Sequence, residues 1–200
     1  MLRQVKAMDF NLVDKSRRQK DYAEKAGYTS QDKNGKPILN DDMDVALLML
    51  YGHILYSGTS YAYSLNYFLR AYALDPNNAV INMNIGLAYV HHSLKRQADN
   101  RQFMILQGLT FLFDYYNSRQ QSSVVEERQE AHYNIARVYH MLGVSHLAIK
   151  YYLRVLRETT DHKSSREDIT INTAHNLKVL CMITGNKKLA NVIARKWLVI

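Results

Sequence analysis

Eight histidines, one cysteine and fifteen tyrosines are the side chains here whose types suit ligation, nucleophilic attack or stacking. Their spacing decides which of these is open to them. His91-His92, His132, His140, His146 and His175 form neither an HExxH helix nor a Cys/His finger, so no metal site is expected. His132 and His140 stand eight apart and fall near one helix face, without the acidic or cysteine ligands that would complete a set. Cys181 lies beside Leu177 on an apolar face, which reads as a small buried thiol rather than a nucleophile. There is no glycine-rich phosphate loop and no GxSxG. Fifteen tyrosines suit base stacking, but most fall in or beside helix-packing slots. No catalytic residue, no cofactor and no enzymatic activity are expected.

Net charge is the next candidate for chemistry. The chain carries +8, placed unevenly: residues 1–40 hold nine basic and five acidic side chains, and residues 166–200 hold six and two. The stretch between is neutral. Basic ends of this kind would allow direct nucleic-acid contact. No stretch has a dense basic cluster or basic-aromatic motif, so solvated ends that keep an apolar body soluble are the favoured reading. The single cysteine excludes an internal disulfide and suits a reducing compartment. No apolar run approaches ~18 residues, so no membrane span is expected. An intracellular, soluble protein follows as an expectation.

The elements that must position these side chains are helices. In Val45–Asn78, Leu48, Tyr51, Gly52 and Leu55 share one face of a first helix, and Ser57-Gly58-Thr59-Ser60 is turn material. Ser64, Phe68 and Ala71 repeat the spacing on a second helix, which Asp75-Pro76 stops. Large-large-small-large, then small-large-small, then Pro over about 34 residues is the tetratricopeptide pattern. Gly52 is placed where a missing side chain lets another backbone approach closely.

Three further pairs follow. Ile85, Gly86 and Tyr89 begin the second, with Asn82 where a large apolar residue is usual. Its first helix should run to about His92. Its second helix resumes near Gln102 after a long link and carries Gly108 as a close-approach position, an expansion of roughly ten residues. Residues 117–125 read as a polar connection. The third pair uses Glu130–His140 with Ala136 and Tyr139, a break at Gly143, then His146–Leu156 with Ala148 and Tyr152. Residues 157–168 read as an exposed loop. The fourth uses Ala174, Leu177 and Cys181, a turn at Gly185, then Leu189, Ala190 and Trp197, with Lys178 in the usual small slot. The fold expected is all-α, a helical-repeat solenoid over 45–200 with repeats at about 45–78, 79–117, 129–160 and 169–200. Residues 1–44 read as a basic extension and linker, partly helical or flexible, with a polar helix over Leu12–Ala26 whose thin apolar face needs a neighbour.

In such solenoids the first helices line a concave groove that binds partners. Residues offset from the packing face would then be Met49, His53 and Tyr56 from the first repeat and Met83, Leu87 and Val90 from the second. The third and fourth would add Tyr133, Arg137 and His140, then His175, Val179 and Met182. A surface of Met, Leu, Val and Tyr suits an amphipathic helix or apolar peptide, or else is filled in part by the solenoid's own insertions. Met49, His53 and Met83 stand where a carboxylate clamp would need Lys, Asn or Arg.

The wording of the chain is narrower than the repeat superfamily. LYGHILYSG (50–58), IGLAYVHHS (85–93) and LQGLTFLFDYY (106–116) resemble the C-terminal repeats of the tetratricopeptide subunit of transcription factor IIIC. The continuations at 130–156 and 174–190 are similar in order and spacing, so the resemblance covers about 45–200. The resemblance implies a C-terminal portion of a longer nuclear scaffold subunit. It would act beside other subunits of that factor in RNA polymerase III transcription of tRNA-type genes. It also implies possible contact with the initiation factor TFIIIB, with DNA reached indirectly. A generic repeat adaptor outside transcription is the alternative. The matching residues are structural, so no binding site carries over from the family.

Overall fold

The computed structural model describes residues 44–96, 98–159 and 169–198. Eight α-helices and no strand occur among them: α1 Val45–Ser57, α2 Tyr61–Leu74, α3 Ala79–Ser93, α4 Arg101–Gln120, α5 Val125–Met141, α6 Ser145–Thr159, α7 Thr170–Ile183 and α8 Lys187–Trp197. The all-helical, repeat-type fold expected from periodicity is present. The helix expected over 12–26 and the linker after it lie outside the described residues. No described helix is long and apolar enough to cross a membrane.

Local chemistry sets the helix ends. The Asp44 carboxylate accepts from Leu47 N at 2.7 Å, Asn78 Oδ1 from Val80 N at 3.0 Å, and Asn186 Oδ1 from Leu189 N at 3.1 Å. Each satisfies an amide that the first helical turn leaves without a partner. α5 begins at Val125, five residues before the expected Glu130, and α4 runs on to Gln120. Glu126 and Glu127 in the first turn complement the helix dipole there, and Arg128 Nη1 donates to Ser122 O at 2.9 Å. The polar connection therefore shrinks to a few residues. α6 likewise extends past Leu156 to Thr159.

Three turns close in one way. Ser60 N donates to Leu55 O, Val144 N to Tyr139 O and Asn186 N to Cys181 O, at 2.9, 2.9 and 2.8 Å. This is the Schellman closure, and it puts the preceding residue in the left-handed region. That residue is Gly143 at φ 74°, Gly185 at φ 82°, and in the first turn Thr59 at φ 58°. Gly58, the glycine the sequence offers there, sits one position early at φ −75°.

The helices group into two compact units, divided between Thr110 and Phe111 within α4. In the first, α1 packs on α2 and α2 on α3, around fully buried Leu48, Phe68, Ala71 and Ile85. Gly52 is indeed a close-approach position, but what it meets is the ring of Phe68 rather than backbone. Gly108 meets backbone: a Cβ there would lie 2.9 Å from the Gly86 carbonyl oxygen. In the second unit α5 packs on α6, α6 on α7 and α7 on α8. Ala136, Ala148, Tyr152, Leu177 and Cys181 are buried there, with Tyr139, Leu189 and Trp197 packed against them. The expansion of the second repeat is taken up by the link at 94–100 and by α4, which has 20 residues against 14 in α2 and 15 in α6.

Of the other repeat-signature residues, Ser64 and Ala190 are buried, and Leu55 and Tyr89 half-buried. Pro76 is exposed beyond the end of α2. Tyr51 departs from its expected burial: it is 44% exposed and stacks on Tyr67 with ring centroids 5.7 Å apart.

Candidate partner-binding faces

The first helices present the offset faces, and each unit has its own. In the first unit Met49, Tyr56, Met83 and Leu87 are half-buried and His53 is exposed, edge-on to Phe68 at 5.4 Å. Val90 does not reach a surface. It is fully buried, and its Cγ2 stands 3.0 Å from where a Gly108 Cβ would be. The close α3–α4 approach draws it into the core, so it lines no groove.

Tyr56 joins an aromatic group that spacing alone did not reveal. Its ring meets Tyr61 at 5.3 Å and His91 at 5.6 Å, both edge-on. Lys95 Nζ lies 4.9 Å from the Tyr61 ring centroid and also donates to Thr59 O. The ammonium thus holds the link after α3 against the turn after α1.

In the second unit Arg137 is exposed with its guanidinium over the Tyr133 ring at 5.8 Å, and the Tyr133 hydroxyl accepts from Asn176 Nδ2 at 3.1 Å. His140 Nδ1 is 3.3 Å from the Tyr152 hydroxyl, and burial lowers its pKa. On α7, His175, Val179 and Met182 are all exposed. They recur at spacings of four and three and form one face. Arg137 on α5 and Val179 and Met182 on α7 are thus cationic and apolar positions that the unit does not use for its own core.

The polar centre of this unit is His132, which sits in the slot that Leu48 fills in α1. A large apolar residue is usual there, and a buried histidine needs partners. Arg154 Nη1 donates to the Tyr116 hydroxyl at 3.1 Å, that oxygen lies 3.2 Å from His132 Nδ1, and His132 Nε2 lies 3.1 Å from Glu158 Oε1. A neutral ring accepting from Tyr116 and donating to Glu158 satisfies the chain. Gln120 lies 3.2 Å from the same Nε2. Burial lowers the His132 pKa, and Glu158 opposes that shift. A shallow depression lined by Gln120, His132, Arg154, Arg157 and Glu158 opens beside it. His132 and His140 do not share a ligand set: each is committed to a tyrosine hydroxyl. Among the described residues no group of three or more His, Cys, Asp or Glu is placed to hold a metal. Cys181 is buried, and burial pushes its thiol pKa up, away from the reactive thiolate.

The histidine network was not legible in advance because its members stand 16 and 26 residues apart. The one signal was a polar residue in an apolar slot, a signal that Asn82 also gives. Asn82 is buried with its Oδ1 unpartnered.

Comparison with known proteins finds relatives in sequence. The chain is 35% identical over 210 residues to the transcription factor tau subunit sfc4 of Schizosaccharomyces pombe, an alignment covering 100% of the chain and 20% of that protein. It is 32% identical over 152 residues to the transcription factor tau 131 kDa subunit of Saccharomyces cerevisiae, covering 76% of the chain and 14% of that protein. It is 28% identical over 160 residues to general transcription factor 3C polypeptide 3 of Homo sapiens, covering 78% and 17%. The chain thus spans a fifth or less of the length of these relatives. No protein-family model matches it.

Proposed function

Because this chain is related in sequence to the tau and 3C subunits of general transcription factor IIIC, we propose that it is a non-catalytic assembly module of such a factor. Its partners are other subunits of the factor, and it supports recruitment of TFIIIB for RNA polymerase III transcription of tRNA-type genes in the nucleus. DNA is reached through the complex. The reading rests on sequence relation across most of the chain to proteins that are named as transcription factor subunits. The faces of the first helices supply the means: Met83 and Leu87 in one unit, and Arg137, Val179 and Met182 in the other, suit an amphipathic helix or an apolar peptide.

The test pairs Met83→Asp with Arg137→Glu and measures capture of purified subunits of the factor. Capture should fall at least several-fold while circular dichroism stays helical. Undiminished capture by a folded double variant overturns the binding faces. Failure of the unaltered chain to capture any subunit of the factor overturns the assembly role itself.

A further inference from the structure

The second helices α2, α6 and α8 each follow a residue of positive φ, namely Thr59, Gly143 and Gly185. Counting from these residues sets the three helices in one register. Ser64, Ala148 and Ala190 fall at the same place in it, and all three are buried. A second face runs beside them at spacings of three, four and three. In α2 it is Ala62, Leu65, Leu69 and Tyr72, of which Leu65 and Tyr72 are buried. In α6 it is His146, Ile149, Leu153 and Leu156. Ile149 and Leu153 pack there against the cluster that contains Leu177 and Cys181 of the following helix. Second helices thus cover the next pair, α2 packing on α3 and α6 on α7.

In α8 the same face reads Lys188, Asn191, Arg195 and Leu198, and the first three are exposed. The residue types decide what this face suits. An amide and a guanidinium stand where α2 and α6 carry leucine or isoleucine, and burying them without partners is unfavourable. The face is therefore made for water or for a polar partner, not for a further helix of the same kind. Its charge favours the partner. Residues 169–198 hold five Lys or Arg and no Asp or Glu. Among the described residues no carboxylate pairs with Lys187, Lys188 or Arg195. Lys187 and Lys188 also open α8, where the helix dipole disfavours cations, so they add nothing to the stability of α8.

Val192 selects the class of partner. It stands four residues after Lys188 and three before Arg195, a neighbour of both on the helix surface, and is 60% exposed. A phosphate backbone gains nothing from a valine, whereas a polypeptide can set an apolar side chain on it. We propose that the Lys188–Asn191–Val192–Arg195 face of α8 docks an acidic segment of a partner protein, with carboxylates on Lys188 and Arg195. The two cations are seven residues apart on the helix, ~10 Å along its axis. Acidic residues three apart in an extended segment span the same ~10 Å. This surface is additional to the faces of α5 and α7, and no subunit of the factor enters its test, so the two readings stand or fall separately.

The experiment titrates the full 200-residue chain into a fluorescein-labelled peptide of repeated Glu-Leu-Ser, read by anisotropy. Its Gln-Leu-Ser counterpart and a mixed-sequence DNA duplex are run beside it. The salt is ~0.15 M, where exposed charges more than ~8 Å apart are largely screened. The acidic peptide should bind saturably and the Gln form at least several-fold more weakly. Lys188→Glu with Arg195→Glu should weaken the acidic peptide at least several-fold, and so should Val192→Asn. Arg96→Glu with Lys150→Glu changes the net charge equally at other exposed positions and should leave the affinity nearly unaltered. Circular dichroism and Trp197 emission check the fold of each variant. Lys188→Gln with Arg195→Gln takes the place of the reversed pair if that pair does not fold. Equal losses in the two charge-reversed chains would reduce the effect to net charge and overturn the proposal. Undiminished binding after Lys188→Glu with Arg195→Glu, or no saturable binding at all, overturns it too. DNA bound more tightly than the peptide, and lost in the same variant, gives the face to nucleic acid and overturns the acidic segment.

Discussion

Thr59 and Gly143 occupy one and the same position in two helix-ending turns, both with positive φ and both followed by an amide that bonds five residues back. Glycine takes that conformation without strain, whereas a β-branched residue pays about 1–2 kcal/mol for it. Thr59→Gly should therefore raise stability by about 1 kcal/mol, and Gly143→Thr should lower it by a similar amount or more. Urea midpoints measured on both variants check the sign of each. Lys95 donates to the Thr59 carbonyl oxygen, a backbone group that the first substitution leaves in place.

Gly108 answers to packing rather than backbone conformation. Its Cβ would meet the Gly86 carbonyl oxygen at 2.9 Å and the Tyr89 Cβ at 3.1 Å, atoms that cannot rotate aside. Helix propensity favours Gly108→Val by only about 0.5 kcal/mol, against about 1–3 kcal/mol for overpacking. Packing wins, so a net loss of about 1–2 kcal/mol is expected in equilibrium unfolding. A gain in stability from the same change would mean that α3 and α4 stand further apart.

His132 makes stability depend on pH with a definite sign. Its folded pKa lies below the ordinary 6.5, so the unfolded chain binds a proton first as pH falls. Stability from this residue is complete above about pH 6.5 and is lost progressively below it, until the folded ring also protonates. His92 and His140, lowered by burial as well, act in the same direction. His132→Gln should shrink the loss in urea midpoint between about pH 7.5 and 5.5 without abolishing it. An unchanged pH profile would remove His132 from the account.

Tyr152 combines a fully buried ring with a hydroxyl 3.3 Å from His140 Nδ1. Tyr152→Phe keeps the ring and should cost about 0.5–1.5 kcal/mol, the net value of one hydrogen bond. Tyr152→Ala removes the ring from the buried cluster that holds Ala148, Leu177 and Cys181 and should cost about 3–5 kcal/mol. Thermal or urea unfolding of the two variants separates ring from hydroxyl.

Periodicity made the helix pairs legible because each pair is a local object: Leu48, Gly52, Phe68 and Ala71 all lie within 24 residues. The same locality explains the misplacements. Gly58 was the natural glycine for the first turn, but the hydrogen-bond closure counts back from Ser60 and places Thr59 in the left-handed slot. Its offset on α3 points Val90 to a surface, and only the approach of Gly108 from another helix buries it. The His132–Glu158 contact joins residues 26 apart on different helices, which no helical period can indicate. The exposed stripe of α7 is legible, because His175, Val179 and Met182 follow the helix period.

Trp197, packed at the end of α8 against the core of the second unit with Lys196 over its ring at 4.9 Å, is the chain's sole tryptophan. Its emission therefore reports on the last helix pair alone, while the far-ultraviolet signal sums over every helix. A fluorescence transition that precedes the loss of helicity would measure fraying of that terminal pair separately from global unfolding.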